Sequence, residues 1–440
     1  MPRLALVAAC LVAGCGAAPR SPVERVDPLV LYPTPRYVAE DLLGVRYAHP
    51  QLTFDRALPP DLDAAARAAW DAGGVDRFVL VSRLESGQAV VRAYAESARA
   101  AGYASAVAKS LVDGEARIHF GTIVDGALFQ TRGIVEGHYG APLLSWQRRC
   151  LIDKLRTLRG NVYLYGPKDD PFAHAQWADP YPPDAAAVIA DAVAAAGARD
   201  VDFVWAVSPG LQQNFAPPGD SISYASDADF ARLTAKIDAM RALGVARFAL
   251  FLDDIDKSLV YDADLAAFAT PAAAHAALAN RLDAYVVAAG APHLLFVGPY
   301  YNSKQDSWRV WADDVGARLA PGIEVMWTGS EVAPEKIGVA DLAAPDDAFG
   351  RHVLIWDNQP RDPMPLFGRD PSLPTAATGI LSNTILMQQG YGYTFDDLWQ
   401  ILGTLGDYAW NPGAYEPYRS QETWDAILAA ADPCGVATAN

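Results

Sequence analysis

Phe248-Ala249-Leu250-Phe251-Leu252 runs without a break into Asp253-Asp254. Five consecutive apolar residues lack the alternation of a half-wet strand and suit a strand covered on both faces, as in a parallel sheet. Two carboxylates at the end of such a strand are not a solvated charge patch. Neighbouring strand residues point to opposite faces, so both acids can reach one cavity only where strand gives way to loop, and that is where they lie.

The same signature recurs on either side. Arg132–His138, Asn161–Lys168, Asp202–Pro209, Arg247–Asp254, His293–Tyr301, Ile323–Gly329, Arg351–Asn358 and Gly379–Thr384 make eight strand candidates separated by amphipathic helices. Ser226 can cap a helix whose stripe is Phe230, Leu233, Ile237, Met240 and Leu243, stopped by Gly244. Thr270-Pro271 opens another, with Leu278, Leu282 and Val286 before Gly290, and Thr394 with Asp397 opens one carrying Leu398, Leu402 and Leu405. Eight alternations predict an α/β fold built on a closed (β/α)8 TIM barrel, whose active site lies at the C-terminal strand ends.

The barrel is expected over residues 131–415 and a small N-terminal α/β domain over 29–130, with strands at Leu29–Tyr32, Arg77–Ser82 and Arg117–Phe120 and a helix at Gly87–Ala101. Residues 416–440 read as a C-terminal helical tail, with a helix near Ser420–Ala431. Ahead of these, Arg3, an apolar run from Leu4 to Ala13 and Leu11-Val12-Ala13-Gly14-Cys15 resemble a bacterial lipobox in a signal segment spanning 1–15. That implies acylation of Cys15, a lipid anchor in a membrane, and a Pro-containing tether over 16–28 on an exported protein.

A net charge of −17 argues against a nucleic-acid partner and disfavours polyanionic ligands. There is no G-x-S-x-G, H-E-x-x-H, C-x-x-C or P-loop, which leaves serine hydrolase, zinc protease, thiol redox and nucleotide chemistry without support. Of the four cysteines, Cys150 and Cys434 remain after export and acylation. Cys150 reads as apolar filler on a helix, although an exported compartment permits one bond between the two.

Reading the strand ends collects Glu136, His138, Lys168, Asp169, Asp170, Ser208, Asp253, Asp254, Tyr301, Thr328, Asn358 and Asn383. A ring of donors and acceptors over an apolar floor suits a sugar, whose hydroxyls must regain the hydrogen bonds lost with water. Three uses compete for the acid pair: a loop cap, a Mg²⁺ or Ca²⁺ site with Asp256, and glycoside hydrolysis. Close carboxyls do not ionise independently, and one is pushed toward the range of a general acid.

Four ordered motifs, Arg132-Gly133-Ile134-Val135-Glu136-Gly137-His138-Tyr139-Gly140, Tyr165-Gly166-Pro167-Lys168-Asp169-Asp170-Pro171, Phe251-Leu252-Asp253-Asp254-Ile255 and Glu324-Val325-Met326-Trp327-Thr328-Gly329, closely resemble glycoside hydrolase family 84. This is the O-GlcNAcase and bacterial β-N-acetylglucosaminidase family. His138 departs from the Phe usual in the first motif. The resemblance implies cofactor-free, retaining removal of N-acetylglucosamine with the substrate's own 2-acetamido oxygen attacking C1 through an oxazoline. It assigns Asp253 to the acetamido N–H and Asp254 to the proton of the leaving oxygen. It also implies that Gly137, Tyr139, Lys168, Tyr301, Thr328, Trp356, Asn358, Asp362 and Asn383 bind the sugar. An endo-acting hyaluronidase of the same chemistry and a sugar-binding surface lipoprotein without turnover stay open as alternatives.

Overall fold

The computed structural model describes residues 23–29, 31–46, 51–113, 117–210, 221–358, 368–387, 392, 395 and 398–416. The signal segment with Cys15, Asp362, the Thr394 and Asp397 helix opening, and the helix expected near Ser420–Ala431 lie outside these residues.

The first unit is a six-stranded sheet. Its elements are β1 (Val23–Arg25), β2 (Tyr37–Arg46), β3 (Gln51–Phe54), α1 (Ala64–Asp71), β4 (Val75–Glu85), β5 (Gln88–Ala95), α2 (Ala98–Ser110) and β6 (Arg117–Ala127). The strand order is β1-β2-β6-β4-β5-β3, antiparallel except for the β3–β5 edge. Alternate β4 residues face opposite ways: Phe78 and Leu80 pack with α2, Val79 and Val81 with α1.

Two expectations here are corrected. Gly87–Ala101 is not one helix. Ser86 and Gly87 both have positive φ (52° and 81°) and form the two-residue turn of a β4–β5 hairpin. The helix starts later, where the Ser97 hydroxyl accepts the Ala100 N–H at 3.0 Å, and it runs through Gly102. A β-carbon there would stand 1.9 Å from Nη2 of Arg156, so the glycine admits a guanidinium rather than ending a helix. The described part of Leu29–Tyr32 belongs to no strand, and the strand that follows is β2.

The second unit is the barrel. Its elements are β7 (Thr131–Glu136), α3 (Ser145–Thr157), β8 (Val162–Tyr165), α4 (Pro183–Gly197), β9 (Asp202–Val207), α5 (Asp227–Ala242), β10 (Arg247–Phe251), α6 (Asp262–Ala267), α7 (Pro271–Ala288), β11 (Leu295–Val297), α8 (Trp308–Gly316), β12 (Glu324–Trp327), α9 (Val339–Phe349), β13 (Val353–Asp357), β14 (Ala377–Asn383) and α10 (Leu398–Trp410). All eight strands pair in parallel, and β14 against β7 closes the circle. Caps read from sequence are in place: Ser226 accepts from Asp229 N at 3.1 Å and Thr270 from Ala273 N at 3.1 Å.

Two apolar layers explain the continuous apolar runs. Val135, Leu164, Ala206, Ala249, Phe251, Val297, Met326, Leu354 and Leu381 fill the barrel interior, while Ile134, Tyr163, Trp205, Phe248, Leu250 and Ile355 pack outward under the helices. Cys150, buried on α3, is disulfide-bonded, which corrects the filler expectation.

The two units join through buried charge. Arg132 and Arg159, at the strand starts, pair with Asp76 (2.6 Å) and with Asp125 from the sheet. Asp125 also accepts from the Trp410 indole at 2.8 Å. The N-terminal unit thus grips the barrel at the end opposite the acid pair.

Candidate active site

Strand parity decides where the acids go. Ala249 and Phe251 face the barrel interior, so Asp253, two residues on, faces the same way. Asp254 would by parity face outward, but its backbone is left-handed, φ 58°, and this turns it to the same cavity. A left-handed residue costs roughly 1–2 kcal/mol, least for Asp, Asn and Gly, and strain of this kind concentrates at functional sites.

The cavity has a volume of about 310 Å³ at the C-terminal mouth, small against the roughly 300–1,000 Å³ usual for ligand pockets. Its lining brings together Gly137, Tyr139, Lys168, Asp253, Asp254, Tyr301, Thr328, Trp356, Asn358 and Asn383, residues from seven strand ends that the sequence singled out. Val297, Val332 and Ile385 complete it and were not anticipated. Val332 comes from a loop and Ile385 from a single 3-10 turn (Ile385–Met387), where no period marks an apolar residue as buried.

Each acid has its own surroundings. Lys168 donates to Asp253 Oδ2 in an ion pair whose side chains are 3% and 8% exposed. The other oxygen, Asp253 Oδ1, is buried and has no hydrogen-bond partner among the described residues. Asp254 is held from two sides: Tyr139 donates to Oδ2, and Tyr301 donates to Oδ1 at 2.8 Å. Burial pushes the Asp253 carboxyl above its usual value, with Lys168 opposing and Asp254 adding. Burial also pushes Asp254 up, but the Lys168 charge and the two tyrosine hydroxyls outweigh it, so its carboxyl lies below the usual value. The pair does separate in proton affinity. The acid expected to carry the proton is, however, the weaker base of the two, because the Lys168 charge and the hydroxyls of tyrosines from two other loops stabilise its anion.

A single chain of hydrogen bonds shapes the far wall. Gly137 N donates to Asn383 Oδ1 (3.1 Å), Asn383 Nδ2 to Asn358 Oδ1 (2.8 Å), and Asn358 Nδ2 to Val332 O (2.8 Å). Trp356 Nε1 also donates to Asn358 Oδ1, at 2.8 Å, which fixes the indole across the floor. The Thr328 hydroxyl donates to Glu331 O at 2.7 Å, fastening the β12 loop. Tyr301 is steadied by a residue sequence gave no sign of, Gln305, whose Oε1 accepts the Tyr301 N–H at 2.8 Å.

The cation reading loses its donor set. Lys168 stands on Asp253, two phenols stand on Asp254, and Asp256 accepts the Ser258 N–H at 2.9 Å. His138 is buried and bonded through Nδ1 to the Thr384 hydroxyl at 2.7 Å, tying the β7 loop to the β14 loop.

Paired, unequal carboxylates over a pocket of this size, at the mouth of a (β/α)8 barrel, are an arrangement suited to glycoside hydrolysis. Residues 132–438 match the NAGidase (beta-N-acetylglucosaminidase) family, and the chain belongs to it. Protein O-GlcNAcase of Mus musculus is 32% identical over 267 residues, 57% of this chain and 27% of that protein. Protein O-GlcNAcase of Rattus norvegicus is 32% identical over 266 residues, with the same coverage. The chain thus spans about a quarter of the length of these relatives. A mutant of the Thermobaculum terrenum O-GlcNAc hydrolase superposes with a TM-score of 0.63 at 25% identity, over 69% of this chain and 64% of that one. The structure of CpGH84B shares the fold, with a TM-score of 0.75 at 21% identity over 92% of this chain and 75% of that one.

Proposed function

We propose that the protein is an exo-acting, retaining β-N-acetylglucosaminidase that uses the substrate's 2-acetamido group as nucleophile, on linkages of the O-GlcNAc type. The observation that carries this is Asp253 Oδ1, buried and without a hydrogen-bond partner among the described residues. A buried carboxylate oxygen without a donor is costly, and an acetamido N–H presented there would satisfy it.

In the first step the acetamido oxygen bonds to C1 as the C1–O bond to the aglycone breaks. Asp254 gives its proton to the departing oxygen while Asp253 holds the N–H and stabilises the positive charge of the forming oxazoline. In the second step Asp254 takes a proton from water, the water oxygen bonds to C1, and the oxazoline opens to the acetamide with configuration retained. Substrate reverses the proton order described above. The amide N–H favours the Asp253 anion, and excluding solvent from Asp254 raises its proton affinity.

In this reading Trp356 walls the N-acetyl slot and Lys168, Asn358 and Asn383 bind sugar oxygens, with Asp362 assigned the same task by the family motif. The cavity volume suits one terminal sugar better than an internal unit of a polymer, which favours exo action over a hyaluronidase. We also propose export as a lipoprotein anchored through Cys15, on the lipobox alone.

The test compares p-nitrophenyl β-N-acetylglucosaminide with a substrate bearing a poorer leaving group. Asp254→Asn should lose about 100- to 10,000-fold on the poor leaving group and much less on the good one. Asp253→Asn should suffer on both. Equal losses on both substrates for Asp254→Asn would reject its role as acid, and binding of N-acetylglucosamine by an inert wild type would establish the lectin alternative.

A further inference from the structure

Glu136 is the last residue of β7 and is completely buried, yet nothing in the proposed chemistry uses it. Its carboxylate is saturated by four donors. Oε1 accepts from Leu143 N (3.0 Å) and Arg148 Nη2 (2.8 Å), and Oε2 accepts from Arg148 Nε (2.8 Å) and Tyr163 Oη (2.6 Å). Arg148 is 2% exposed and rests 4.9 Å over the Tyr165 ring, whose hydroxyl donates to Asp170 beyond Lys168.

Stability alone does not explain the arrangement, since apolar residues of equal volume commonly replace a buried ion pair without loss. What the carboxylate adds is direction. The Leu143 amide closes the loop of residues 137–142 onto the strand it left. That loop is pinned on one flank by Lys168 N to His138 O (3.2 Å) and Gly140 N to Asp169 Oδ2 (3.1 Å), and on the other by Gly137 N to Asn383 (3.1 Å). Tyr139 sits at its centre, with its hydroxyl on Asp254.

We propose that Glu136, neutralised by Arg148, is a positioning residue that holds the Tyr139 hydroxyl on Asp254. It acts through Tyr139, so its removal matters only while that hydroxyl is present. The inference rests on the glycosidase reading for its kinetic test, and a structural measurement stands apart from it.

The experiment is a double-mutant cycle of Glu136→Gln and Tyr139→Phe on p-nitrophenyl β-N-acetylglucosaminide, with kcat/KM followed against pH and thermal unfolding recorded for each variant. Glu136→Gln should lower kcat/KM by about 100-fold and move the basic limb upward in the direction seen for Tyr139→Phe. In the Tyr139→Phe background it should cost less than about threefold more. Its full cost in both backgrounds, or an unmoved basic limb, overturns the proposal. If Glu136→Gln does not fold, Arg148→Lys, which keeps the charge and loses the two-pronged contact, should give the same pattern, and its failure to do so counts equally against it. A wild type without turnover would reject the glycosidase and leave positioning to be read from a crystal structure of the variant. Tyr139 withdrawn from Asp254 supports it, and Tyr139 still in place overturns it.

Discussion

A β-carbon on Gly137 would stand 2.7 Å from Cζ2 of Trp356. The indole that walls the cavity therefore lies against the β7 loop only because residue 137 has no side chain, and it cannot retreat while Asn358 holds its N–H. Gly137→Ala should cost about 1–3 kcal/mol of stability by overpacking and about 100-fold in kcat/KM. Thermal unfolding and steady-state kinetics check both, and an alanine variant with normal turnover would mean that the acetamide lies elsewhere.

Tyr301 donates to the charged form of Asp254, and a donor to the anion holds proton affinity down. Tyr301→Phe removes that donor, so the Asp254 carboxyl should rise. In the proposed mechanism the basic limb of kcat/KM marks loss of the acid's proton. It should therefore move to higher pH, while maximal kcat falls because Asp254 has lost a contact that orients it. A basic limb moving to lower pH would reverse the assignment of acid and amide partner.

His174 and His275 are buried, and burial holds each imidazole down to about 3, with Lys168 adding to the effect at His174. The folded values lie below the unfolded one, about 6.5, so the unfolded chain binds protons first as pH falls. The stability these residues contribute is complete above pH 6.5 and is lost progressively toward pH 3. Near pH 5 the loss should be about 2 kcal/mol for each. Denaturant unfolding of His275→Gln should show a shallower fall between pH 6.5 and 4 than the wild type, whatever its stability at neutral pH.

Asp125 neutralises Arg159 in the seam between sheet and barrel, and both are buried. Burial pushes the Asp125 carboxyl up against the pull of Arg159, so the anion depends on its partners. Asp125→Ala would strand a guanidinium and should cost roughly 3–5 kcal/mol. The catalytic mouth lies at the other end of the strands, so kcat at a temperature where the variant is folded should be unchanged. A large loss of kcat would show that the seam reaches the pocket.

The barrel was legible because a parallel strand buried on both faces writes itself as an unbroken apolar run, as at 248–252, and because Ser226 and Thr270 cap their helices by purely local geometry. The N-terminal unit was less so. The Ala-rich stretch after Gly87 imitates a helix, and only the Ser86-Gly87 turn and the alternating burial of Ala89, Val91 and Ala93 reveal a strand. Within the pocket, residue types at strand ends pointed to the lining, since parity and the strand-to-loop change are sequence properties. Proton order was not legible, because it depends on Lys168, Tyr139 and Tyr301 acting on Asp254 from three separate loops. The Glu136–Arg148 pair left one trace: Arg148 stands in line with Leu151 and Leu155 on the buried stripe of α3.

The left-handed backbone at residue 254 also limits what mutation can do to this protein over time. Asn and Gly are the replacements that conformation accepts most cheaply, whereas a longer acid such as Glu meets both a backbone penalty and a pocket already shaped around a shorter arm. Asparagine is one base change from aspartate in the genetic code. A descendant that keeps the pocket and forfeits turnover is therefore a single nucleotide away.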